Sequence, residues 1–385
     1  MRIAFVSTML SAPWGGSEVL WQQTALSALA QGHAVFASVY QSDHFPAQLR
    51  VLEQAGAELQ VRPFYSPALA VRLKRRLQIA LRLAKPFSAA LEAFQPDIIC
   101  VSQGGNFDII QTAWLREALL QSGVPFCLVC HNYDANHLPS TEMRRLGREI
   151  FGQSARVFFV SSEQARVSQR QLAINLSNAE LVKNPVNLPE AKLLPWPSDE
   201  VPQLAIVAGI DIDRKGQDIA LEVLSQPQWL QRSWHLNIFG DGHDRDYLEE
   251  LITLYRLQKR VTLHGNVADV KGIWLRNHLL LMPSRREAAP LVVIEAMLCG
   301  RPVVATAVGT IPEWITSNQT GFIALAATVP LFSDALEQAW LARNNWETIG
   351  RDAHSWAFQY ADLGAATTFL AELRKIAAEG TVNNR

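Results

Sequence analysis

The fold is decided by one stretch of the sequence, Leu279-Leu-Leu-Met-Pro-Ser-Arg-Arg-Glu-Ala-Ala-Pro-Leu-Val-Val-Ile-Glu295. Its apolar residues Leu279–Met282 predict a buried strand, and residues 283–289 predict the loop that follows it. Pro290 suits the first position of a helix, because that position needs no N–H donor. The free amides and the positive dipole end of such a helix form a site for a phosphate.

Glu295 is the unusual residue of this stretch, because it continues the apolar run Leu291–Ile294. A carboxylate in such surroundings is costly unless a partner hydrogen-bonds to it. The vicinal hydroxyls of a ribose are one such partner, and Glu287 is placed to bind the hydroxyls of a second sugar. A salt bridge to a basic neighbour is the alternative for a lone glutamate.

The composition describes a globular chain that is long enough for two domains. The 385 residues are 49% hydrophobic and 18% charged, which argues against disorder. The formal net charge of −1 gives no general attraction to nucleic acid. We therefore expect no nucleic-acid partner.

The cysteines and the hydropathy pattern bear on the compartment. Cys127 and Cys130 have CxxC spacing, but residues three apart on a strand point to opposite faces and cannot share a metal. Four scattered cysteines form no disulfide framework, and reduced thiols suit the cytosol. No apolar run approaches the ~18 residues that cross a bilayer. These features predict a cytoplasmic protein.

Short apolar runs alternate with helical patterns along the whole chain, which predicts parallel sheets covered on both faces. The predicted strands are Ile3–Val6, Val35–Val39, Glu58–Val61, Ile98–Val101, Phe126–Val129, Val157–Val160, Leu204–Ala208, Leu236–Phe239, Val261–Leu263, Leu279–Met282 and Val303–Ala305. A proline-rich linker, Asn184–Pro202, separates two series of strands. We expect two Rossmann-like, doubly wound α/β domains, 1–185 and 186–354, with a helix of about 355–380 packed back onto the first. Ligands of such sheets bind beyond the carboxyl ends of the strands, so a cleft between the domains is the expected site.

The spacing Glu287-x7-Glu295 within Pro-Ser-Arg-x-Glu…Pro-Leu-Val-Val-Ile-Glu-Ala-Met resembles the signature of the retaining glycosyltransferases of family 4 (glycosyltransferase group 1), which have the GT-B fold. Further motifs of that family occur in its order along nearly the whole chain. They are Gly15-Gly16-Ser17-Glu18, His131-Asn132, Asn184-Pro-Val-Asn187, Lys215-Gly216, Phe239-Gly-Asp-Gly242, Gly309…Glu313 and Thr320-Gly321. Asn184-Pro-Val-Asn187 matches the family's Asn-Gly-Val-Asp only in part.

The resemblance implies a retaining transferase that moves a sugar from a nucleoside-diphosphate sugar to a hydroxyl of a glycan or a lipid-linked acceptor. It implies an N-terminal acceptor domain, a C-terminal donor domain, and neither a cofactor nor a metal. His131 would contact the donor sugar, Glu287 its hydroxyls, and Lys215 the diphosphate. The implied donor-site residues are Gly15, Gly16, Arg214, Lys215, Gly240, Gly265, Ala288, Pro290, Leu291, Val292 and Glu295.

Each of these residues also has an ordinary structural interpretation. Gly15 and Gly16 fit a plain tight turn, Lys215 a solvated surface lysine, and His131 a structural histidine at the end of a strand. Trp14, beside the two glycines, fits either sugar stacking or packing.

Two positions depart from the family pattern. Ile210 aligns with an arginine that is the family's second diphosphate ligand, although Arg214 beside Lys215 is placed to compensate. Ala288 replaces a common glycine, and its Cβ would tighten the donor site or disfavour a positive φ. These departures keep open the alternative of a catalytically degenerate sugar-nucleotide-binding subunit. A sugar-nucleotide epimerase of the same fold is a further alternative, against which Glu287-x7-Glu295 and Lys215-Gly216 argue.

Other nucleotide and metal sites have weaker support. Asp211-Ile-Asp213 is a DxD triplet, which holds a divalent metal in the other large glycosyltransferase fold, but such triplets are common by chance. The sequence has no G-x-G-x-x-G after a strand and no P-loop pattern.

Residues 71–85 form a basic amphipathic pattern, with Leu73, Leu77 and Leu81 on one helical face and Arg72, Arg75, Arg76 and Arg82 largely on the other. Such a helix lies on an anionic membrane surface or packs on the sheet with a solvated charged face. In the first case the protein would be peripheral on the inner face of the membrane and its acceptor lipid-linked.

Overall fold

The computed structural model describes residues 1–9, 14–41, 45–63, 87–188 and 190–383. The chain divides into two compact units, one of residues 1–185 with 364–385 and one of residues 186–363. The predicted basic helix 71–85 lies outside the described residues.

In the described part of the first unit, seven parallel strands form one sheet in the order β3-β2-β1-β4-β5-β6-β7. The strands are β1 (Arg2–Ser7), β2 (Ala34–Tyr40), β3 (Glu58–Arg62), β4 (Ile98–Gln103), β5 (Phe126–Cys130), β6 (Arg156–Phe159) and β7 (Ala179–Leu181). The helices are α1 (Gly16–Ala30), α2 (Ala47–Gln54), α3 (Phe87–Phe94), α4 (Asp108–Gln111), α5 (Ala113–Ser122), α6 (Thr141–Gln153) and α7 (Ser162–Leu172). Sequence analysis did not predict β7, whose three residues are too few for a periodic pattern.

The first sheet has an apolar core on each face. Cys130 packs in the cluster with Leu128 and Phe159, whereas Cys127 packs in the cluster with Val129 and Phe158. Both cysteines are free. The prediction that they point to opposite faces is therefore confirmed, and they cannot act as a pair.

The described part of the second unit has six parallel strands in the order β10-β9-β8-β11-β12-β13. The strands are β8 (Gln203–Val207), β9 (His235–Phe239), β10 (Val261–Gly265), β11 (Leu279–Met282), β12 (Val303–Thr306) and β13 (Phe322–Ala324). The helices are α8 (Ile212–Lys215), α9 (Gln217–Leu224), α10 (Pro227–Leu230), α11 (Arg245–Leu254), α12 (Val270–Arg276), α13 (Leu291–Leu298), α14 (Ile311–Trp314), α15 (Val329–Leu341) and α16 (Trp346–Tyr360). Both sheets reverse their strand order at one point, between β1 and β4 and between β8 and β11, so the prediction of two doubly wound domains is confirmed.

The C-terminal tail departs from the expected single helix of about 355–380. The helix α16 belongs to the second unit and packs on α13, whereas α17 (Ala365–Asn383) belongs to the first unit and packs on α1. Phe369 meets Phe158 edge-on at a ring distance of 5.1 Å. The tail changes units at residue 364 rather than near 355, because each helix buries its apolar face against a different core.

Gly240 and Gly265 lie side by side at the carboxyl ends of β9 and β10, where the Gly240 amide donates to the Gly265 carbonyl at 2.8 Å. Gly240 has a φ of +134°, and a Cβ there would overlap the carbonyl of Ala208. Gly265 has a φ of +68°, but its missing Cβ would meet nothing within 4 Å. Close backbone packing therefore requires glycine at 240, and conformation alone favours it at 265.

This difference predicts unequal costs for Gly240→Ala and Gly265→Ala. We expect Gly265→Ala to lower the free energy of unfolding by about 1–2 kcal/mol, because only φ is strained. Gly240→Ala should cost clearly more, above about 3 kcal/mol, because the backbone of two loops must also separate. Urea unfolding followed by tryptophan fluorescence measures both, and equal costs would contradict the close approach.

Candidate active site

The reversal of strand order in the second unit brings together the loops that follow β8 and β11. The amides of Arg285 and Arg286 donate to the carbonyl of Arg214 at 2.8 and 3.3 Å. Gly216, with a φ of +67°, passes so close to the carbonyl of Pro283 that a Cβ would overlap it. Side chains that are distant in sequence therefore converge at this edge of the sheet.

Lys215 and Glu287 form an ion pair at this point. Lys215 Nζ lies 2.6 Å from Glu287 Oε1, and the side chains are 16% and 11% exposed. The hydroxyl of Ser284 donates to the same carboxylate oxygen at 3.0 Å. The pair fixes the ammonium group of Lys215 and the carboxylate of Glu287 within a single polar cluster.

Arg285 clamps the loop that carries Glu287. Its guanidinium makes a bidentate pair with Asp218 of α9, at 2.9 and 2.7 Å, and donates to the Ile212 carbonyl at 2.7 Å. Two parallel charge-assisted bonds define the orientation of both partners. The loop is thus tied to α8 and α9, which carry Lys215 and its neighbours.

The two carboxylates of the DxD triplet pair with different arginines. Asp211 caps α8 and accepts from Arg214 Nε at 3.1 Å, whereas Asp213 pairs with Arg286. Asp211 also lies near His243 and Asp244, with ligand atoms within 4.8 Å of one another. Asp244 Oδ2 already accepts from the Ile212 amide at 2.8 Å, so these carboxylates have structural partners.

Glu295 lies in α13 and is 4% exposed. Its Oε1 accepts from the backbone amide of Asn187 at 3.2 Å and from Asn187 Nδ2 at 3.1 Å. Burial raises the pKa of Glu295, and the two bonds from Asn187 oppose that shift. The carboxylate therefore has a neutral partner rather than the basic neighbour considered in the sequence, and Asn187 is a site residue that its motif match did not assign.

The helix α13 begins at Leu291, so Pro290 is its N-cap, one residue before the first helical position that the sequence predicts for it. Among the described residues, the amides of Leu291 and Val292 donate no hydrogen bond. The amide of Thr310 donates to the Ala288 carbonyl at 3.0 Å. These contacts leave the first amides of the helix available to an anion.

The two departures from the family pattern have structural explanations. Ala288 is buried and is not among the residues with a positive φ, so of the two expected effects of its Cβ, the one on a positive-φ backbone is absent. Ile210 is 1% exposed and packs in the apolar core of the second unit. The position that aligns with the family's arginine thus serves packing, while the guanidinium of Arg214 pairs with Asp211.

The candidate residues of the first unit lie at the carboxyl ends of its strands. Gly15 is the N-cap of α1, which begins at Gly16, and Trp14 packs against Trp21 at a ring distance of 6.1 Å. His131 follows β5. Burial lowers the pKa of His131 to about 4, so the imidazole is neutral at pH 7. Both its ring nitrogens are buried without a hydrogen-bond partner among the described residues.

Glu18 is a buried carboxylate that the sequence motif contains without a stated role. It is 4% exposed, and Trp21 Nε1 donates to its Oε2 at 2.9 Å. Burial raises its pKa from 4.5 to about 7, against hydrogen bonds from Trp21, Ser7 and Ser17 and the charge of Arg62. The first unit thus contains an acid that titrates near neutral pH.

Two protein-family models match the chain over the segments that contain these site residues. The family described as "Glycosyl transferases group 1" matches residues 195–355, and "Glycosyltransferase Family 4" matches residues 14–190. The first match contains Lys215, Glu287 and Glu295, and the second contains Gly15 and His131. The chain belongs to the group 1 glycosyltransferases.

Two curated relatives of this group 1 glycosyltransferase have names that refer to phosphatidylinositol and to lipopolysaccharide. One is the gpi3 component of the phosphatidylinositol N-acetylglucosaminyltransferase of Schizosaccharomyces pombe, which is 36% identical over 110 residues, 28% of this chain and 24% of that protein. The lipopolysaccharide glucosyltransferase WaaG of Escherichia coli is 31% identical over 125 residues, 32% of this chain and 33% of that one. The chain therefore matches only a third or less of the length of these relatives.

The likeness of solved structures extends over nearly the whole chain. HepE of Anabaena, solved in complex with UDP, superposes with a TM-score of 0.75 at 19% identity, over 97% of this chain and 99% of that one. This similarity shows the GT-B fold. Within the described part of the chain, every helix is too short or too polar to cross a bilayer.

The burial of Glu18 predicts a pH-dependent effect of Glu18→Gln. The folded chain binds the Glu18 proton more tightly than the unfolded chain, so this group lowers stability progressively as pH rises from about 4.5 through 7. Glu18→Gln removes that loss and keeps an acceptor for Trp21. We therefore compare the free energy of unfolding of the variant with that of the wild type. The difference in favour of the variant should be larger at pH 8 than at pH 4.5 by on the order of 3 kcal/mol.

Urea unfolding at the two pH values measures this effect. Glu53→Gln, on the exposed side of α2, is the matched control. It should change the free energy of unfolding by the same amount at both pH values. A Glu18→Gln effect that does not vary with pH would argue against a buried, protonated carboxyl.

Proposed function

We propose that the chain transfers a sugar from a nucleoside-diphosphate sugar to a hydroxyl of a glycan or lipid-linked acceptor, with retention of configuration. One arrangement carries this proposal. Lys215 of α8 pairs with Glu287, and the loop that carries Glu287 leads directly to the free amides of α13 and to Glu295. Each provides a different contact that a nucleoside-diphosphate sugar needs. The family resemblance is the only basis for proposing retention, since no residue can be recognised as a covalent nucleophile.

The diphosphate would bind Lys215 and the N-terminus of α13. An ammonium group and unpaired amides at a helix start stabilise the negative charge that develops on a departing nucleoside diphosphate. The 2.6 Å pair with Glu287 holds the ammonium group in position before the donor binds. We propose that this positive charge makes a metal unnecessary.

The two glutamates would divide the sugars of the donor between them. Glu295 has one oxygen held by Asn187, and its Oε2 accepts no hydrogen bond among the described residues, which suits the ribose hydroxyls. Glu287 precedes the helix and would accept from hydroxyls of the transferred sugar. His131, neutral and with unpartnered ring nitrogens among the described residues, would hydrogen-bond to that sugar near the reacting carbon.

A binding protein without turnover is the second candidate. The burial of Ile210 favours it, because the family's second cationic diphosphate ligand has no counterpart at that position. The ordinary backbone of Ala288 favours the active enzyme. Binding of nucleotide without transfer to any acceptor would decide for the binding protein.

A thermal-shift panel with UDP, GDP, ADP and their sugars tests the donor site. We expect one nucleoside diphosphate to raise the melting temperature equally with and without EDTA. Glu295→Ala should abolish the shift, because the ribose loses its acceptor, and Lys215→Ala should weaken binding by about tenfold or more, because a charge-assisted bond is lost. Glu250→Ala, at an exposed position of α11, is the control.

If no nucleotide raised the melting temperature of the wild type, the donor-site proposal would be wrong. Turnover that required Mn²⁺ or Mg²⁺ would instead assign a role to Asp211 and its neighbours.

We further propose a cytoplasmic protein that contacts the anionic inner face of a membrane through residues 71–85. The names of the yeast and bacterial relatives, which refer to phosphatidylinositol and lipopolysaccharide, support a lipid-linked acceptor. Four arginines within 72–82 would bind acidic headgroups.

Reversing two of these charges tests the membrane contact. Arg75→Glu with Arg76→Glu should weaken co-sedimentation with phosphatidylglycerol liposomes by about tenfold or more, since each basic residue contributes ~1 kcal/mol near such a surface. Arg148→Glu with Arg276→Glu, both at exposed positions, is the matched control. Equal binding of both variants would indicate an ordinary packed helix.

A further inference from the structure

Asn187 contributes both of the hydrogen bonds that Glu295 Oε1 receives. The backbone amide and the side-chain Nδ2 of this one residue converge on the same oxygen, at 3.2 and 3.1 Å. The two residues are 108 positions apart. Asn187 lies at the start of the second unit, on the chain segment that runs along α13, where the Leu194 amide donates to the Cys299 carbonyl at 3.4 Å.

The direction of these bonds determines which oxygen of Glu295 remains available. Both donors occupy Oε1, so the carboxylate cannot rotate without losing two charge-assisted bonds. Oε2 accepts no hydrogen bond among the described residues. It is therefore the oxygen of Glu295 that still lacks a partner.

We propose that Asn187 is a positioning residue that holds one oxygen of Glu295 and directs the other at the vicinal ribose hydroxyls of the bound nucleotide. This inference rests on the proposed donor site. It adds a residue that selects ribonucleotides over deoxyribonucleotides through Glu295, without itself touching the sugar.

The chemistry requires an acceptor that is both fixed and ionised. An ionised carboxylate accepts from two hydroxyls, whereas a protonated one has less acceptor capacity. Burial raises the pKa of Glu295, and the bonds from Asn187 lower it again. Loss of the asparagine donor should therefore leave Glu295 protonated at a higher pH, and nucleotide affinity should decline as pH falls.

Other titratable groups lie near the C-terminal end of α13, and the experiment must separate them from Glu295. They are Cys299, Lys271, Arg301, Glu190, Lys192 and His354. Burial raises the pKa of Cys299 to about 12, so it remains a thiol at neutral pH. The variant Glu295→Gln removes only the titration of Glu295, and its pH profile provides the baseline for all the others.

Isothermal titration of the full chain with UDP, GDP and ADP, and with their 2′-deoxy counterparts, tests the inference. For the nucleotide that binds, we expect the wild type to prefer the ribose form by about tenfold, the equivalent of one charge-assisted hydrogen bond. Asn187→Ala should reduce that preference to below about threefold. Its affinity should also fall more steeply than that of the wild type between pH 8 and pH 6.

Three further variants make the result specific. Asn187→Asp keeps the size and the backbone amide but cannot donate from its side chain, so at pH 8 it should lose the preference as Asn187→Ala does. In the Glu295→Gln background, Asn187→Ala should have little further effect, because the two residues act through one contact. Asn344→Ala, at an exposed position of the same unit, should match the wild type.

An unchanged ribose preference and pH profile in folded Asn187→Ala would overturn the inference while the donor site stands. If Asn187→Ala lowered the affinities for the ribonucleotide and for its 2′-deoxy counterpart equally, the residue would be merely structural. That result would also overturn the inference. A wild type that binds none of the three nucleotides would overturn the proposed function, and the inference with it.

Discussion

The candidate donor site depends on the reversal of strand order between β8 and β11. At that point the two loops leave the sheet side by side, and their backbones meet where Gly216 passes the Pro283 carbonyl. Arg285 then ties the second loop to Asp218. Lys215 and Glu287 are joined as a consequence of this backbone contact. The ion pair is therefore a result of sheet topology, and any change that separates the loops removes both side chains from the site.

Three carboxylates with little exposure to solvent have different kinds of hydrogen-bond and ion-pair partners. Glu287 has the ammonium group of Lys215 and a serine hydroxyl, Glu295 has two amide donors from Asn187, and Glu18 has the indole of Trp21. Desolvation favours the neutral acid unless donors or opposite charge compensate. The pKa of Glu18 therefore reaches about 7. Glu295 has donors on only one oxygen, which suits a group that is completed by a ligand.

At positions 210 and 288 the sequence departs from the family motif, and the structural effect of each departure could not be predicted from the motif alone. Ile210 lies in the core, so the loop around Lys215 is supported by an apolar side chain at a position where the family has a cation. Ala288 has an ordinary backbone, and its carbonyl instead constrains the neighbouring chain, because a Cβ on Gly309 would overlap it. The steric requirement for glycine therefore falls on residue 309 rather than on residue 288.

Local hydrophobic periodicity was enough to predict the two doubly wound units and the strand Leu279–Met282, and proline geometry located the start of α13 to within one residue. Motif spacing predicts Lys215, Glu287 and Glu295 as donor-site residues, and the structure pairs Lys215 with Glu287. The contact of Asn187 with Glu295 and the break of the C-terminal tail between α16 and α17 became visible only in the folded chain. Both results depend on which surfaces meet after the chain has folded, and contacts between residues far apart in sequence leave no periodic pattern along it.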